Sequence, residues 1–330
     1  MATIRDVARV SGYSIATVSR VLNGYDNVSP ETRKKVLKVV KELNYKRSDS
    51  MKGSSYKVVG VLVPDLFGYY YGIIAESIKE VLIKSHIEMF LSTFRNSIEK
   101  EKEALEEFFG RKVDGIIVCT TYDDEDSLEK FVTTGIPVVA LDRDQSELKI
   151  DIITIENYNS TLKIAQYLYN MGHKRVVHVE GPLRIYSARE RKKAFQDFAQ
   201  KNKDFEVIFI PGGFDAQSGY TSIKQYLKKN GKDFTAAFFV NDWVALGGLK
   251  ALREAGYSCP EDVSVVGFDD APFAKYLHPS LTTICQPMYE MGLNAGKLIV
   301  EKLEGKKESR VKRRIILPTE IVVRDSVKKI

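Results

Sequence analysis

The sequence predicts an α/β protein in which an all-α helix-turn-helix head precedes a two-lobed body with doubly wound parallel sheets. Three observations support this fold class. Two short helical patterns flank a glycine turn within the first 24 residues, and a polar, Ser- and Gly-rich stretch follows at residues 46–57. From Val58 onward, short apolar runs alternate with amphipathic stretches. Nearly continuous apolar strands separated by helices are typical of parallel sheets that helices cover on both faces.

The head begins with two short helices joined by a tight turn. The first is expected from about Ile4 to Val10, with Thr3 as its N-cap. Gly12 supplies the backbone freedom that the turn needs, and Ser14 can cap the second helix. Asn23-Gly24 can end that second helix.

A third helix is expected from Ser29-Pro30, because proline suits the first helical position. Helical periodicity predicts which residues of the last two helices face inward. They are Ile15, Val18 and Leu22 in the second helix and Val36, Val39, Val40 and Leu43 in the third.

The basic charge of the chain is concentrated at its amino terminus. Residues 1–57 hold 12 Lys and Arg against 5 Asp and Glu, a net charge of +7, whereas the other residues hold 38 against 39. A cationic head on a near-neutral body favours the binding of a polyanion by the head alone.

Eight apolar runs in the body are predicted to be strands. Because a single open sheet usually holds fewer strands, two lobes are expected. Ligands of such folds bind at the carboxyl ends of the strands. The runs are Val58–Val63, Glu88–Thr93, Gly115–Cys119, Pro137–Leu141, Val176–Val179, Val207–Ile210, Ala236–Val240 and Val263–Phe268.

Other function classes are disfavoured. No G-x-G-x-x-G or G-x-x-x-x-G-K-[ST] pattern is present, and the four histidines have no Ser or Cys partner in a recognisable motif, so an enzyme, a cofactor and a metal site are not expected. The three cysteines stand far apart, and neither a signal peptide nor a membrane-spanning apolar run is present. These features predict a reduced, cytoplasmic protein.

Short motifs occur along the chain in the order that one family shows. In the head they are Ile4–Ala8, Ala16–Gly24 and Leu43–Tyr45, and in the body they are Asp114–Ile117, Ile136–Val139, Asn241-Asp242, Pro260–Val263, Val266–Asp270 and Pro279–Ile284. Through them essentially the whole chain resembles the lactose-repressor/galactose-repressor family of bacterial transcription regulators. The resemblance implies a DNA-binding head and a two-lobed, periplasmic-binding-protein-like body with three crossovers between its lobes.

Composition and resemblance together predict the domain boundaries. The helix-turn-helix head is expected at 1–45, a linker or hinge at 46–57, and an effector-binding and dimerisation core at 58–330. Within the core, lobe one is expected at about 58–155 and 287–318, and lobe two at about 156–286 and 319–330.

The resemblance implies that the second helix enters the major groove of DNA. Arg20 can then donate two hydrogen bonds to a guanine, while Ile15 and Ala16 offer apolar contacts to thymine methyl groups. A phosphate or an intramolecular partner is the alternative for Arg20. The expected DNA-binding residues are Thr3, Tyr13, Ser14, Ile15, Ala16, Thr17, Ser19, Arg20 and Asn23, together with Met51 of the linker.

Met51 enters this set because the linker departs from the family pattern. Most members have a proline after the Asn-Tyr pair, followed by a hinge helix whose leucine wedges into the minor groove. Here Lys46 replaces the proline, and no leucine is present between Tyr45 and Val58. Met51 is therefore the aliphatic side chain that could act as a wedge.

The resemblance also implies a small effector between the lobes, in a pocket close to that of ribose-type receptors. Carboxylate, amide and guanidinium groups can pair with vicinal hydroxyls, and an aromatic face can stack on a sugar. The expected effector-binding residues are Tyr70, Tyr71, Asp142, Arg143, Arg191, Phe214, Asn241, Asp269 and Gln286.

Structural roles are the alternatives for some of these positions. Arg143 can pair with Asp142 or Asp144, Asp270 can brace a loop, and Asp242 can cap the helix that follows it.

A second departure concerns residues 68–71. Many relatives have Asn-Pro-Phe-Phe there, whereas this chain has Gly68 and three tyrosines. Tyr70 and Tyr71 could stack on a ligand and hydrogen-bond to it, although one of the three tyrosines is expected in the core. Trp243, the sole tryptophan, is expected to line or border the pocket.

These features predict a sequence-specific transcriptional regulator, a repressor of a carbohydrate-utilisation operon that a small sugar or sugar derivative controls. A homodimer on a pseudo-palindromic operator is expected, since no leucine-heptad helix for tetramer formation follows Arg324. A regulator that answers to a corepressor or a phosphoprotein is one alternative. A sugar-binding receptor without DNA function is another.

Overall fold

The structure is a computed structural model that describes residues 4–22, 28–43, 57–95, 97–119, 126–143, 147–148, 150–305 and 312–330. The chain forms two compact units, the head (Met1–Tyr56) and the body (Lys57–Ile330). Of the expected linker, only Lys57 is among the described residues, and it begins the first strand of the body.

The head contains three helices, α1 (Ile4–Ser11), α2 (Ile15–Leu22) and α3 (Pro30–Glu42). Serine residues cap the last two. The Ser14 hydroxyl accepts a hydrogen bond from the backbone N–H of Thr17 at 3.1 Å, and Ser29 accepts one from Thr32 at 3.2 Å. Each bond satisfies an N–H that the first helical turn would leave unpaired.

The three helices bury a small core rich in valine. Val7, Ala8, Val18, Val21, Val36 and Val39 form it. The prediction from periodicity is wrong for Ile15, whose side chain is 46% exposed. Ile15 is the first residue of α2, and Val18 and Val21 fill the inward face of that helix instead.

The body alternates strands with helices. Its strands are β1 (Lys57–Val63), β2 (Ile87–Thr93), β3 (Gly115–Val118), β4 (Val138–Leu141), β5 (Asp151–Ile155), β6 (Arg175–Val179), β7 (Glu206–Ile210), β8 (Ala236–Phe239), β9 (Ser264–Val266), β10 (Thr283–Cys285), β11 (Arg314–Leu317) and β12 (Glu320–Val322). Its helices are α4 (Tyr69–Lys84), α5 (Ile98–Gly110), α6 (Asp126–Thr133), α7 (Asn157–Asn170), α8 (Tyr186–Lys201), α9 (Ala216–Asn230), α10 (Asp242–Glu254) and α11 (Met288–Leu303).

Two parallel sheets organise the body. The first has the strand order β2-β1-β3-β4-β5-β11 and the second β7-β6-β8-β9. In each sheet the chain first adds a strand on one side of the starting strand and then continues on the other side. A switch point therefore lies between β1 and β3 and another between β6 and β8. The predicted fold class, a helical head and doubly wound parallel sheets, is confirmed.

Lobe one contains the six-stranded sheet and lobe two the four-stranded sheet. The chain passes between them before β6, between β10 and α11, and between β11 and β12. In lobe one α11 packs against α4, and in lobe two α7 packs against α8. The last residues return to lobe two, where the backbone N–H of Val265 donates to the Ser326 carbonyl at 2.8 Å.

Strand β5 is missing from the eight predicted runs. It begins with the buried Asp151, which accepts hydrogen bonds from the backbone and side chain of Arg313 at 3.0 Å and pairs with Lys302 at 3.4 Å. Because these partners compensate the buried charge, an acidic residue is tolerated in an internal strand. A search for uninterrupted apolar runs therefore overlooks it.

Candidate functional site

A cavity of about 440 Å³ lies in the body at the carboxyl ends of strands from both sheets. Lobe one contributes the loop after β1, the start of α4 and the ends of β3 and β4. Lobe two contributes the segments that follow β6, β7, β8 and β9, and Gln286 follows β10. Ligands of doubly wound sheets bind at this position.

Eight of the nine side chains predicted to contact an effector line this cavity. The eight are Tyr70, Tyr71, Asp142, Arg191, Phe214, Asn241, Asp269 and Gln286. Trp243 also lines it. The ninth, Arg143, is 2% exposed and is not part of the lining, so the structure places it beside the cavity wall.

Arg191, on α8, is held in place by neutral partners. Its Nε and Nη2 atoms donate to Asn157 Oδ1 at 3.1 and 2.9 Å, and Nη1 donates to the Val240 carbonyl. The guanidinium lies 3.6 Å from the centroid of the Phe268 ring. Asn157 in turn donates to Asp142 Oδ1 at 3.2 Å. A guanidinium has five N–H donors, so Arg191 retains donors for a ligand.

Asp269 accepts from two protein donors. The Tyr69 hydroxyl donates to Oδ2 at 2.6 Å, and Gln286 Nε2 donates to Oδ1. The Tyr70 hydroxyl donates to Gln286 Oε1 at 3.5 Å. Burial raises the pKa of Asp269 to about 6, while the Arg191 charge and these two hydrogen bonds act in the opposite direction. Burial is the largest of these influences, so the pKa of this carboxyl lies above its usual value.

The tyrosines of the cavity remain protonated. Burial, followed by nearby acidic groups, raises the pKa of Tyr69, Tyr70 and Tyr71 well above the usual value. Tyr70 and Tyr71 meet edge to face, with their ring centroids 5.0 Å apart. They offer a ligand both a neutral hydroxyl and an aromatic face.

The start of α10 differs from one prediction. Asn241, not Asp242, caps this helix, because Asn241 Oδ1 accepts from the backbone N–H of Val244 at 2.8 Å. Asp242 is fully buried and accepts from the N–H of Ala271 at 2.7 Å and from the Thr283 hydroxyl at 2.6 Å. Asp242 thus ties loops of lobe two together.

Asp270 has the structural role that was its alternative. Its carboxylate pairs with Arg324 at 2.6 Å, and Arg324 also donates to the Leu281 carbonyl at 2.8 Å. The ion pair fastens the loop after β9 to the last segment of the chain.

Sequence reasoning missed several residues of this site. Asn157 follows β5, so it would have been noticed if that strand had been recognised. Tyr69 stands in the triple tyrosine segment, but no local signal distinguishes it from Tyr70 and Tyr71. Arg95 and Arg184 also line the cavity, one from each lobe, and were not predicted.

In the head, α2 presents the residues expected to meet DNA. Ser14, Ile15, Ala16 and Arg20 are exposed, and Tyr13, Thr17 and Ser19 are half-buried. Thr3, Asn23 and Met51 lie outside the described residues. The exposed face combines one guanidinium with two small apolar side chains, the chemistry that base edges in the major groove accept.

Neither a membrane span nor a metal centre emerges from the described parts of the chain. No helix there is long and apolar enough to cross a bilayer. No group of three or more His, Cys, Asp and Glu side chains among these residues has the arrangement of metal ligands.

Two family models match the chain. Residues 3–48 match the lacI family of bacterial regulatory proteins, and residues 165–327 match a periplasmic binding protein-like domain. A full-length relative, the HTH-type transcriptional repressor PurR of Pasteurella multocida, is 33% identical and aligns over 99% of both chains.

Solved structures agree with these matches. The Lac repressor dimer bound to operator and the anti-inducer ONPF is similar, with a TM-score of 0.75, 29% identity and 99% coverage of both chains. A LacI family transcriptional regulator from Enterococcus faecium with bound ribose has a TM-score of 0.75 and 27% identity, over 83% of this chain and 100% of its own. The chain therefore belongs to the lacI family of bacterial regulatory proteins, and it is a DNA-binding transcriptional regulator rather than an enzyme.

Proposed function

We propose that this regulator represses a carbohydrate-utilisation operon and that a small sugar or sugar derivative, bound in the body cavity, controls it. The cavity lining carries the proposal. It combines four carboxylates, two amides, three guanidinium groups, of which that of Arg191 is buried, and several aromatic rings. Such a set can pair with vicinal hydroxyls and stack on a sugar ring. The similar Enterococcus faecium regulator holds ribose.

The operator contacts are assigned to α2. Arg20 contacts a guanine, Ile15 and Ala16 contact thymine methyl groups, and the remaining predicted residues of the head bind phosphates. Two heads of a homodimer recognise a pseudo-palindromic site, because one helix-turn-helix contacts too few base pairs for specificity. The protein works in the cytoplasm and is associated with the nucleoid when DNA-bound.

Regulation follows from the position of the cavity. A ligand that contacts both lobes favours the arrangement in which the lobes are close. The change in operator affinity cannot exceed the difference in the ligand's affinity for the two arrangements.

Trp243 provides the test of this proposal. A panel of monosaccharides is screened by tryptophan fluorescence, and sugars that change the emission are then added to operator gel shifts. The expected result is one sugar that does both. Arg191→Ala should bind that sugar at least about tenfold more weakly, because a charged hydrogen-bond donor is lost.

Arg253→Ala is the matched control, since it removes an exposed guanidinium on α10 that is not part of the cavity lining. If Arg191→Ala is folded and binds the sugar as tightly as the parent, the cavity is not the effector site. If no sugar alters operator binding, the carbohydrate assignment is wrong. A ligand that strengthens operator binding would establish the corepressor alternative.

A further inference from the structure

One hydrogen bond joins side chains that the two lobes contribute to the cavity. Tyr69 is the first residue of α4 in lobe one, and Asp269 follows β9 in lobe two. The Tyr69 hydroxyl donates to Asp269 Oδ2 at 2.6 Å. Because donor and acceptor belong to different lobes, the bond can exist only while the lobes are close together.

The ring of Tyr69 is also seated against lobe two. It meets Phe273 edge to face, with the centroids 5.7 Å apart, and Phe273 contacts Trp243 at 5.3 Å. Tyr69 packs on the hydrophobic cluster that continues from lobe one into lobe two and on the separate cluster within lobe two. Of the described residues that pack on these clusters from outside, it alone contacts both.

The carboxylate of Asp269 is held ready for this contact. Gln286 Nε2 donates to Asp269 Oδ1. The backbone of Asp269 has a φ of 126°, a conformation that few non-glycine residues adopt. Hydrogen bonds to a buried carboxylate are stronger than neutral ones. The single bond from Tyr69 therefore weighs appreciably in the balance between open and closed lobes.

Asp269 also lines the cavity in which the effector is proposed to bind. A carboxylate there can accept hydrogen bonds from ligand hydroxyls. In this chain the Tyr69 hydroxyl already donates to one of its two oxygens.

We propose that the Tyr69 hydroxyl, through its hydrogen bond to Asp269, latches the two lobes together across the cavity and positions the carboxylate. The inference rests on the proposed function, because it concerns regulation of the same cavity. Closure is then partly independent of ligand, and the effector acts on a population already shifted toward the closed arrangement.

Acrylamide quenching of Trp243 in the ligand-free, full-length protein tests the latch. Trp243 is the only tryptophan and lines the cavity, so its quenching reports opening. Tyr69→Phe removes one hydroxyl and keeps the ring. The open-to-closed ratio should rise by about tenfold to a hundredfold, the effect of losing one hydrogen bond to a charged group, and quenching should increase accordingly.

Tyr158→Phe is the matched control. It removes a phenol–carboxylate hydrogen bond of 2.8 Å, to Asp197, between two helices of the same lobe and away from the cavity lining. Quenching of Trp243 should stay at the parent value in this variant. An equal increase in both variants would mean general loosening and would overturn the latch.

Asp269→Ala removes the acceptor and serves as the second variant if Tyr69→Phe does not fold. It should raise quenching as Tyr69→Phe does. The double variant should show no further increase, because each single variant already lacks the bond between Tyr69 and Asp269. Folded Tyr69→Phe or Asp269→Ala protein with parental quenching would show that no latch exists. That result would leave the sugar proposal intact, since no sugar enters the experiment.

Discussion

Two carboxylates of the cavity occupy backbone conformations that most side chains avoid. The φ angle is 50° at Asp142 and 126° at Asp269. Such conformations cost about 1–3 kcal/mol each and persist only where the surroundings hold them. Here hydrogen bonds from Asn157, Tyr69 and Gln286 hold the two side chains. The strain coincides with the two acceptors on which the proposed ligand site depends.

Single residues in the head carry the first prediction. Arg20 is exposed on α2, and a bidentate contact to guanine contributes about 1–3 kcal/mol of discrimination between bases. Arg20→Ala should therefore weaken operator binding by about tenfold to a hundredfold. Binding to unrelated DNA should change little. Gel shifts with both DNAs at one salt concentration measure the two effects.

Lys34→Ala provides the comparison for Arg20. Lys34 is exposed on α3. Its removal should weaken binding to both DNAs slightly and equally, because only a general attraction to phosphates is lost. If Arg20→Ala also weakens binding to both DNAs equally, Arg20 contacts a phosphate and not a base.

Among the elements, β6 contains an unusual buried residue, His178. His178 is 1% exposed, and the rings of Phe195, Phe209 and Phe238 surround it at centroid distances of 4.9 to 5.5 Å. Neither ring nitrogen has a hydrogen-bond partner among the described residues. An imidazole in such surroundings must remain neutral.

This burial makes the stability of the fold depend on pH. Burial, followed by the charges of Arg191 and Lys192, lowers the pKa of His178 to about 3. In the unfolded chain the histidine pKa is about 6.5, so below that pH the unfolded state binds a proton that the folded state does not. Because of this group, the free energy of unfolding should fall by about 2 kcal/mol as the pH is lowered from 7 to 5.

His178→Phe should remove this dependence. Urea unfolding of the parent and the variant at pH 5, 6 and 7 compares the slopes of unfolding free energy against pH. Between pH 5 and pH 7 the unfolding free energy of the variant should vary by about 2 kcal/mol less than that of the parent, whatever the change in packing at pH 7. Parallel curves would show that His178 is protonated in the folded state or is not buried.

His173 is the contrasting histidine for that experiment. Its ring nitrogens contact the Thr235 hydroxyl at 2.9 Å and the Lys328 carbonyl at 3.1 Å. His173→Phe should cost about 1–3 kcal/mol already at pH 7, because partners in the interior lose their hydrogen bonds.

Several elements could be predicted from local sequence patterns alone. The serine caps of α2 and α3 and the alternation of strands and helices follow from spacing and residue type, which act over a few positions. Strand β5 could not be predicted in this way, because its buried Asp151 is compensated by Arg313 and Lys302, which lie far away in sequence.

At the scale of the whole molecule, the proposed dimer makes a direct prediction. Sedimentation equilibrium of the full-length protein at micromolar concentration should give twice the mass of the chain. An operator with one half-site destroyed should bind much more weakly, because only one head then makes specific contacts. A stable monomer at that concentration would contradict the proposal.

The sequence by itself determined the two-unit organisation, the helix-turn-helix, the doubly wound body and nine of the 23 residues that line the cavity. The organisation and the fold depend on periodicity and caps, which are written locally in the chain. The cavity residues came from the family resemblance, and the rule that ligands bind at strand ends agrees with them. The sequence could not show that Arg143 is buried outside the cavity lining or that Asn157 supports Arg191.

Only the tertiary structure decided which side chains meet across the cavity. Tyr69 and Asp269 are 200 positions apart, and their contact depends on how close the two lobes come. No pattern within either segment records that distance. The three consecutive tyrosines have the same chemistry, but it is the Tyr69 ring that meets Phe273 of lobe two, and its hydroxyl reaches the carboxylate.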